Sequence, residues 1–568
     1  MLLTKVHIQN FRGIADLSIP FGPYVVLIGA NNAGKSSVLD AIRYCLTRTL
    51  SRKTRAFEDY DYRVTTAAAD PTQAPPILIE LTFSEQIGDE WPEEISQLME
   101  GAEQLDGAGL RHVILRITSG YEALIKDFST DYDFLDLAGN ALPKGKVNRA
   151  LANLQQLVPT FYLASLRDAA NEFRSRGQFW APFVRSLDMT PEEQSEIEAE
   201  LATLNQLVLD KHTNFAMIRE HLAKAASIMG MRAQHPITID ALPSKASEIL
   251  NRTQVSIVSN SGAAIPISRH GSGTQSLAVI GLFDAFLRSQ LELSYTAVSQ
   301  PLLTLEEPEA HLFPAATKSV GELLKALGGQ KIISTHSGDL IAGSQLADLR
   351  RLRRDGDSVS VHFLAPGDLS ADDVRKLDYH IRLTRGSLLF SKCWLMVEGE
   401  TEAPLLIECA AAMDLDLFSE GVSLIEYAQV GLEPFLKLAN ALGMEWVVLT
   451  DGDSAGQTYA AQAQARLGGK AAATHLCSLP HANMEMYLCQ SGYGQIYEAN
   501  ISPQKQHVVV SAQGTQSYWE EVLKAQKAKS KPRMALAVAE AIRAAGVAAV
   551  PVDLRTMIEN AIELARNS

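Results

Sequence analysis

Tyr24-Val25-Val26-Leu27-Ile28-Gly29-Ala30-Asn31-Asn32-Ala33-Gly34-Lys35-Ser36-Ser37 is the stretch from which the rest of the chain is read. Its first five residues are apolar, which predicts a buried strand, and the pattern from Ser37 through Leu46 predicts a helix. Between them, the spacing of Gly29, Gly34, Lys35 and Ser36 is that of a P-loop. The glycines let backbone N–H groups around Asn31 and Asn32 curl over phosphate oxygens at the positive end of the helix. Lys35 is expected to reach the β and γ phosphates, Ser36 a Mg²⁺ ion, and Ser37 completes the expected contacts to ATP. A chance glycine-rich turn would lack the strand before it and the helix after it.

At 568 residues the chain is too long for one core and predicts two or three domains. Hydrophobic content of 46% with 21% charged residues is ordinary for a globular protein and excludes extended disorder. The formal charge of -15 means that contact with nucleic acid must use local basic patches rather than the overall field. No apolar run of about 18 residues and no signal peptide is visible, so the expectation is a cytoplasmic protein with no membrane contact. The five cysteines are scattered without paired spacing, which predicts reduced thiols and no zinc site.

A second series decides which kind of P-loop protein this is. Pro301-Leu302-Leu303-Thr304-Leu305-Glu306-Glu307-Pro308-Glu309-Ala310-His311-Leu312 reads as an apolar strand ending in two acids. Glu306 would hold the metal's water shell, and Glu307 would orient the attacking water as a base. Upstream, Ser268 to Ser276, with Ser272 and Gly273 at its centre, opens an apolar helix from Leu277 to Phe286. That is a second phosphate-cradling helix start, too far along the chain to serve the same loop easily. Downstream, Ile332 to Ser337 reads as a strand ending in a histidine, His336, which alone would be a satisfied histidine near the surface and in this series is expected to be a γ-phosphate sensor.

In this order the motifs resemble the soluble branch of the ATP-binding-cassette ATPases, over residues 1 to about 345. The resemblance implies that the signature of one protomer completes the γ-phosphate site of another, so the ATPase works as a dimer. A transporter subunit is the competitor within that superfamily, but Glu306-Glu307-Pro308-Glu309-Ala310-His311-Leu312, with Glu where transporters carry Asp, instead resembles the ATPases of the overcoming-lysogenization-defect (OLD) nucleases. Asn10-Phe11-Arg12-Gly13 fits that branch, with Arg12 expected to touch the nucleotide.

Thr190-Pro191-Glu192-Glu193 reads as a helix start: hydroxyl cap, proline at the first position, glutamate at the third. Ile197, Leu201, Leu204 and Val208, then Phe215, Ile218 and Leu222, keep an apolar stripe at helical spacing. The expectation is a helical hairpin from about Asp188 to Met229, within an insertion at about 165–235. Core packing would explain the stripe; the resemblance implies a dimerisation arm instead. The run from Asp348 to Gly356, with Arg350, Arg351, Arg353 and Arg354, reads first as a solvated face and second as a phosphate contact.

A domain boundary is expected near residue 385. Beyond it, Leu395-Met396-Val397-Glu398-Gly399-Glu400-Thr401-Glu402 is an apolar strand end followed by a helix, and Trp446 to Thr450 is a strand ending in Asp451-Gly452-Asp453. If both strands share a sheet, two pairs of carboxylates converge, and Mg²⁺ would relieve their repulsion. A calcium loop at Asp451 is excluded, because its twelfth position is Gln462 rather than glutamate. One glutamate after the first strand and Asp-x-Asp after a later one resemble the TOPRIM domain of topoisomerases, primases and OLD nucleases. The resemblance adds Glu485 as a fifth acidic ligand. It also implies a lysine near the scissile phosphate, from the run Lys527, Lys529, Lys531 and Arg533; Lys531 is the choice, Lys529 the fallback.

The expected fold is α/β: an ABC-type ATPase at 1-385 with its helical insertion, then a Rossmann-like TOPRIM nuclease domain at 386-568. The expected activity is nucleotide-regulated cleavage of DNA by two Mg²⁺ or Mn²⁺ ions held by Glu398, Glu402, Asp451, Asp453 and Glu485, with a further Mg²⁺ at the ATP. A homodimer or homotetramer is expected. Similarity to the nuclease subunit of Gabija-type phage defence points to antiviral work and to a separately encoded UvrD-like helicase or other defence partner. Two other classes fit less of the sequence: an ATP-gated DNA clamp whose acids hold a structural metal, and a TOPRIM topoisomerase, which needs a tyrosine nucleophile in a DNA-binding domain that is not recognisable here.

Overall fold

Strand β3 (Tyr24–Ile28) is buried at every position and pairs in parallel on both sides. Strands buried on both faces read as unbroken apolar runs, which is why this one was legible. The computed structural model describes residues 1–48, 50, 55–66, 69–147, 149–164, 190–211, 217–218, 242–243, 245, 255–258, 264–289, 291–383, 386–399, 401–527 and 531–568.

The amino-terminal part is built from two sheets. Strands β1 (Leu3–Phe11), β2 (Ile14–Pro20), β4 (Ile77–Ser84), β5 (Glu103–Leu105), β6 (Arg111–Glu122) and β7 (Asp127–Leu135) form one, antiparallel throughout. The other runs β14 (Ser358–His362), β13 (Leu349–Asp355), β3, β12 (Gln330–Ser334), β11 (Leu302–Glu306), β8 (Thr160–Ala164), with only β14 antiparallel. Helix α1 (Lys35–Thr47) lies between the sheets, where Val38 and Ile42 share one core with Ile8, Phe11 and Phe83. The P-loop strand β3 lies in the middle of its sheet, as the expected α/β fold requires.

Of the expected insertion, helix α2 (Pro191–Asp210) is described. It starts as the sequence predicts: Thr190 Oγ1 accepts from Glu193 N, and the Glu193 carboxylate accepts from Thr190 N at 2.8 Å. None of its residues is buried, and Ile197, Leu204 and Leu207 are exposed. Nearly all of the rest of the hairpin lies outside the described residues. A short ladder, β9 (Ser256–Val258) with β10 (Ala264–Pro266), precedes helix α3 (Ser272–Ser289).

The carboxy-terminal sheet is fully parallel, in the order β16 (Val422–Glu426), β15 (Cys393–Val397), β17 (Glu445–Thr450), β18 (Leu476–Ser478). The chain leaves β15 to one side for β16 and returns to its other side for β17. That reversal makes a topological switch point, with a crevice beyond the carboxyl ends of β15 and β17. Helices α4 (Glu402–Ala412), α5 (Leu432–Ala441), α6 (Ser454–Ala465), α7 (Met484–Leu488), α8 (Lys531–Ala545) and α9 (Val552–Arg566) surround it. Leu405, Ile542 and Ile558 cover one face, against Leu395, Val397, Val447 and Leu449.

The other face, with Trp394, Met396, Trp446 and Val448, belongs to a hydrophobic cluster that also holds Val26, Ile28, Leu303 and Leu305. The two halves therefore share a core. Among the described residues no helix is long and apolar enough to cross a membrane.

The basic run at 348–356 is not a solvated face. It forms β13, paired with β3 from Leu349 to Arg351, and Arg351 is buried. Pairing beside the P-loop strand puts alternate arginines against protein on either side of the sheet, which charge composition alone does not reveal.

Candidate active site

Two clusters of polar residues stand out, one at each switch from strand to helix. At the P-loop, Gly34 enters α1 at φ +99°, a conformation in which glycine alone is unstrained. Lys35 Nζ donates to the carbonyl oxygens of Gly29, at 2.8 Å, and Ala30, at 2.9 Å. Burial lowers the ammonium to about 8, with Glu307 and Glu306 opposing. Ser36 Oγ donates to one carboxylate oxygen of Glu306, and Tyr162 Oη donates to the other at 2.6 Å. Glu307 lies 3.7 Å from His336 Nε2. Asn31, Asn32, Gly34, Lys35, Ser36, Ser37, Glu306, Glu307 and His336 line one cavity of about 560 Å³. Ser272 and Gly273 do not line it; they open α3, with Gly273 against Leu312 and the His311 carbonyl.

Arg12 is not at this cavity either. Its guanidinium donates to Asp61 at 2.8 Å, Asp40 at 2.7 Å and Tyr44 Oη at 3.1 Å, so it ties α1 to the turn after β1. Its charge is already met by two carboxylates, those of Asp40 and Asp61. Two residues of the site lie outside the expected set. Arg354, in the run whose second reading is a phosphate contact, lines the cavity and donates to the Asn32 carbonyl at 3.0 Å. Tyr162 carried no sequence signal at all.

The second cluster lies at the switch point between β15 and β17. Glu398 follows β15, and one Glu398 carboxylate oxygen is buried without a hydrogen-bond partner. Burial and the charge of Asp453 raise its carboxyl. Glu402 is the first residue of α4 and accepts from Gly399 N at 3.0 Å. Burial, with Glu485 and Glu398, raises it against that hydrogen bond. Asp451 follows β17 and is pushed up to about 7, first by burial and then by Glu398, Glu402, Glu485 and Asp453. Asp453 caps α6, accepting from Gly456 N at 2.7 Å. Glu485 is buried on α7. Gly456 is required by contact: a Cβ there would stand 1.9 Å from the Asp451 carbonyl.

So five acids from three segments distant in sequence press on one another electrostatically, and one buried carboxylate oxygen has no partner. Among the described residues no three His, Cys, Asp or Glu side chains are posed to close on a metal ion as they stand. The donor set is nevertheless the all-oxygen one that a hard divalent cation takes, and such an ion would offset the repulsion that raises Asp451. Lys531 begins α8, while its side chain and all of Lys529 lie outside the described residues.

The clusters are joined by β13. Arg351 donates to the carbonyls of Leu442 at 3.1 Å, Gly443 at 3.0 Å and Ser391 at 3.1 Å, all beside the carboxy-terminal sheet. Arg353 reaches Glu445 at 3.3 Å. The same strand passes its Leu352 carbonyl over Gly29 and sends Arg354 to the P-loop. A second contact runs from His336 to Phe390, whose rings stack at 6.3 Å.

Residues 1–388 match the family described as "Protein of unknown function (DUF2813)". The chain belongs to this family. Residues 389–453 match the TOPRIM domain described as "Overcoming lysogenization defect protein-like". "Uncharacterized protein YbjD" of Escherichia coli (strain K12) is 30% identical over 100% of this chain and 99% of its own length. The "OLD nuclease" of Thermus scotoductus (strain ATCC 700910 / SA-01) is 25% identical over 80% of this chain and 82% of its own. The "Endonuclease GajA" of Bacillus cereus (strain VD045) is 19% identical over 80% of this chain and 75% of its own. The TOPRIM match runs from before β15 to Asp453, so it takes in Glu398, Glu402 and Asp451 as well. Glu485 and Lys531 lie beyond its end.

Proposed function

We propose that this DUF2813 chain is a DNA endonuclease whose TOPRIM acids cut a phosphodiester under control of the ATPase half. The observation that carries the reading is the convergence of Glu398, Glu402, Asp451, Asp453 and Glu485 on the β15/β17 switch point. Relatives named OLD nuclease and endonuclease GajA, matched over most of the chain, support it.

Those five acids would hold two Mg²⁺ or Mn²⁺ ions, which when bound supply an activated water and stabilise the leaving oxygen. The chain's own part is to keep the carboxylates converged. The Gly399 N–H fixes Glu402 and the Gly456 N–H fixes Asp453, while Glu402 and Glu485 are buried and Asp453 is open to solvent. Lys531, at the head of α8, is the residue assigned to the phosphate that gains charge.

At the P-loop, Lys35 would exchange its two carbonyl partners for phosphate oxygens, and Ser36 with Glu306 would hold the nucleotide's Mg²⁺. Glu307 orients the water, and His336 senses the γ-phosphate. Ser272 and Gly273, outside this cavity, would complete it in a second copy of the chain, with the exposed face of α2 contributing to a homodimer or homotetramer. A role in antiviral defence, in the cytoplasm and with a separately encoded helicase-type partner, is the setting this reading favours. Supercoiled plasmid incubated with the full chain and Mg²⁺ or Mn²⁺, with and without ATP, tests it. Nicked or linear product from the wild type and none from Glu398→Gln is expected; uncut plasmid under all these conditions sinks the reading.

A further inference from the structure

Beside Glu398 lies a cavity of about 360 Å³, at the small end of the roughly 300–1,000 Å³ range of ligand pockets. Its composition is unlike that of the acid cluster it adjoins. Ile381, Leu388, Ile425 and Phe435 give it an apolar floor; Gln429 and Glu426 add polar groups. Tyr379 and His380 stand at its side on a π-helix (Asp378–Leu383), their rings edge to face at 5.2 Å. Tyr379 is 62% exposed, unusual for a large aromatic residue beside a cleft. π-Helical turns are rare and concentrate at functional sites.

We propose that this cavity receives one nucleobase of the DNA, unstacked from its neighbours and lodged next to the phosphate to be cut. The inference rests on the nuclease reading and adds what the site recognises beyond phosphate. Glu426, which is not one of the five acids, puts a further carboxylate on the cavity wall, so the part of a nucleic acid that enters is the neutral one. A base has a flat apolar face for Tyr379 and the floor, and a polar edge for Gln429 and Glu426. Enzymes that take a base out of the stack read it in this way, by stacking and edge hydrogen bonds. Because Glu398 forms part of the cavity wall, a base seated there fixes its own 5′ or 3′ phosphate close to the acids. Tyr379 is thus a positioning residue.

The test compares the affinity of the full chain, in Ca²⁺, for oligodeoxythymidine and for an abasic backbone of the same length, by fluorescence anisotropy. The wild type is expected to prefer the base-bearing strand roughly tenfold. Tyr379→Ala, at an exposed position, should bind both strands alike, while Tyr379→Phe keeps the preference. Plasmid cleavage by the same proteins is scored in parallel. An unchanged preference in Tyr379→Ala, or none in the wild type, overturns the proposal even if plasmid is cut. Uncut plasmid with a Tyr379-dependent preference instead sinks the nuclease reading and leaves a base-binding site. Thymidine monophosphate that displaces the oligonucleotide at equal concentration per base would make the cavity a free-nucleotide site and also overturn it.

Discussion

Arg351, on a strand of the P-loop sheet, donates to the carbonyl oxygen of Gly443 in the other half of the chain, 3.0 Å away. The same guanidinium holds Leu442 and Ser391, and burial lowers it to about 10. A buried cation with three carbonyl partners is a stiff link: neither half can shift without stranding polar groups. Arg351→Ala should cost about 3 kcal/mol, read as a lower urea midpoint. It should also flatten the ratio of DNA cleavage with and without ATP towards one, while ATP hydrolysis persists. An unchanged ratio would place the coupling elsewhere, with the His336 to Phe390 contact next in line.

Asp451 gives a prediction in which function and stability oppose each other. Its folded carboxyl is pushed up to about 7 from the ordinary 3.8. Between those values the folded state holds a proton that the unfolded chain has released, so its contribution falls as pH rises and the penalty is complete above about 7. Asp451→Asn should therefore raise the melting temperature at pH 8 in chelator, where the wild type carries the penalty, and do little at pH 4. The same substitution should lower cleavage by on the order of 10²–10³-fold with ATPase activity kept. A destabilised Asp451→Asn protein at pH 8 would contradict the electrostatic account.

Glu445 behaves in the opposite sense. A hydrogen bond from His475, with Lys470 and Arg353 beside it, holds its carboxyl at about 2 against opposing burial. A depressed carboxyl stabilises fully above the unfolded value near 4.5 and loses that contribution as pH falls through 2. His475 and Lys470 lie in the carboxy-terminal half with Glu445, and only Arg353 reaches it across the join, so acid should lower the stability of that half as a whole. The urea midpoint of the wild type is expected to fall between pH 5 and pH 3, and Glu445→Gln should show a lower midpoint at pH 7 with less of that fall.

Tyr162 positions Glu306 by a 2.6 Å hydrogen bond without lining the nucleotide cavity. Tyr162→Phe removes only the hydroxyl. ATP turnover should fall about tenfold, a loss of one charge-assisted hydrogen bond, with KM for ATP little changed. Equal loss in KM and turnover would mean that Tyr162 shapes binding instead.

Gly456 packs on the Asp451 carbonyl so tightly that Gly456→Ala must move backbone, not a flexible side chain. A destabilisation of about 1–3 kcal/mol is expected, along with loss of cleavage, while ATP hydrolysis continues.

Much of the local structure was legible because its signals are local. The P-loop strand spans Tyr24–Ile28 as its apolar run predicts, and Thr190 and Glu193 form the reciprocal cap read from their spacing. Each carboxylate of the TOPRIM set except Glu485 sits within a few residues of a strand end, where apolar runs stop. Arg12 misled because nothing in its own neighbourhood shows that Asp40 and Asp61 would reach it first. The arginines of β13 misled because a charge run looks alike whether it faces water or backbone carbonyls. Tyr162 and the cavity beside Glu398 gave no signal, since they arise where strands and turns remote in sequence meet.

The sequence by itself determined which segments would be strands, where a glycine-rich loop would join strand to helix and which acids were available, since these follow from periodicity and residue chemistry over a dozen positions. Only the tertiary structure decided that β15 and β17 are neighbours, so that Glu398 and Asp451 share a crevice, and that β13 joins that crevice to the P-loop. Strand order and the partners of a buried cation are set by packing across the whole chain, and no local pattern encodes them.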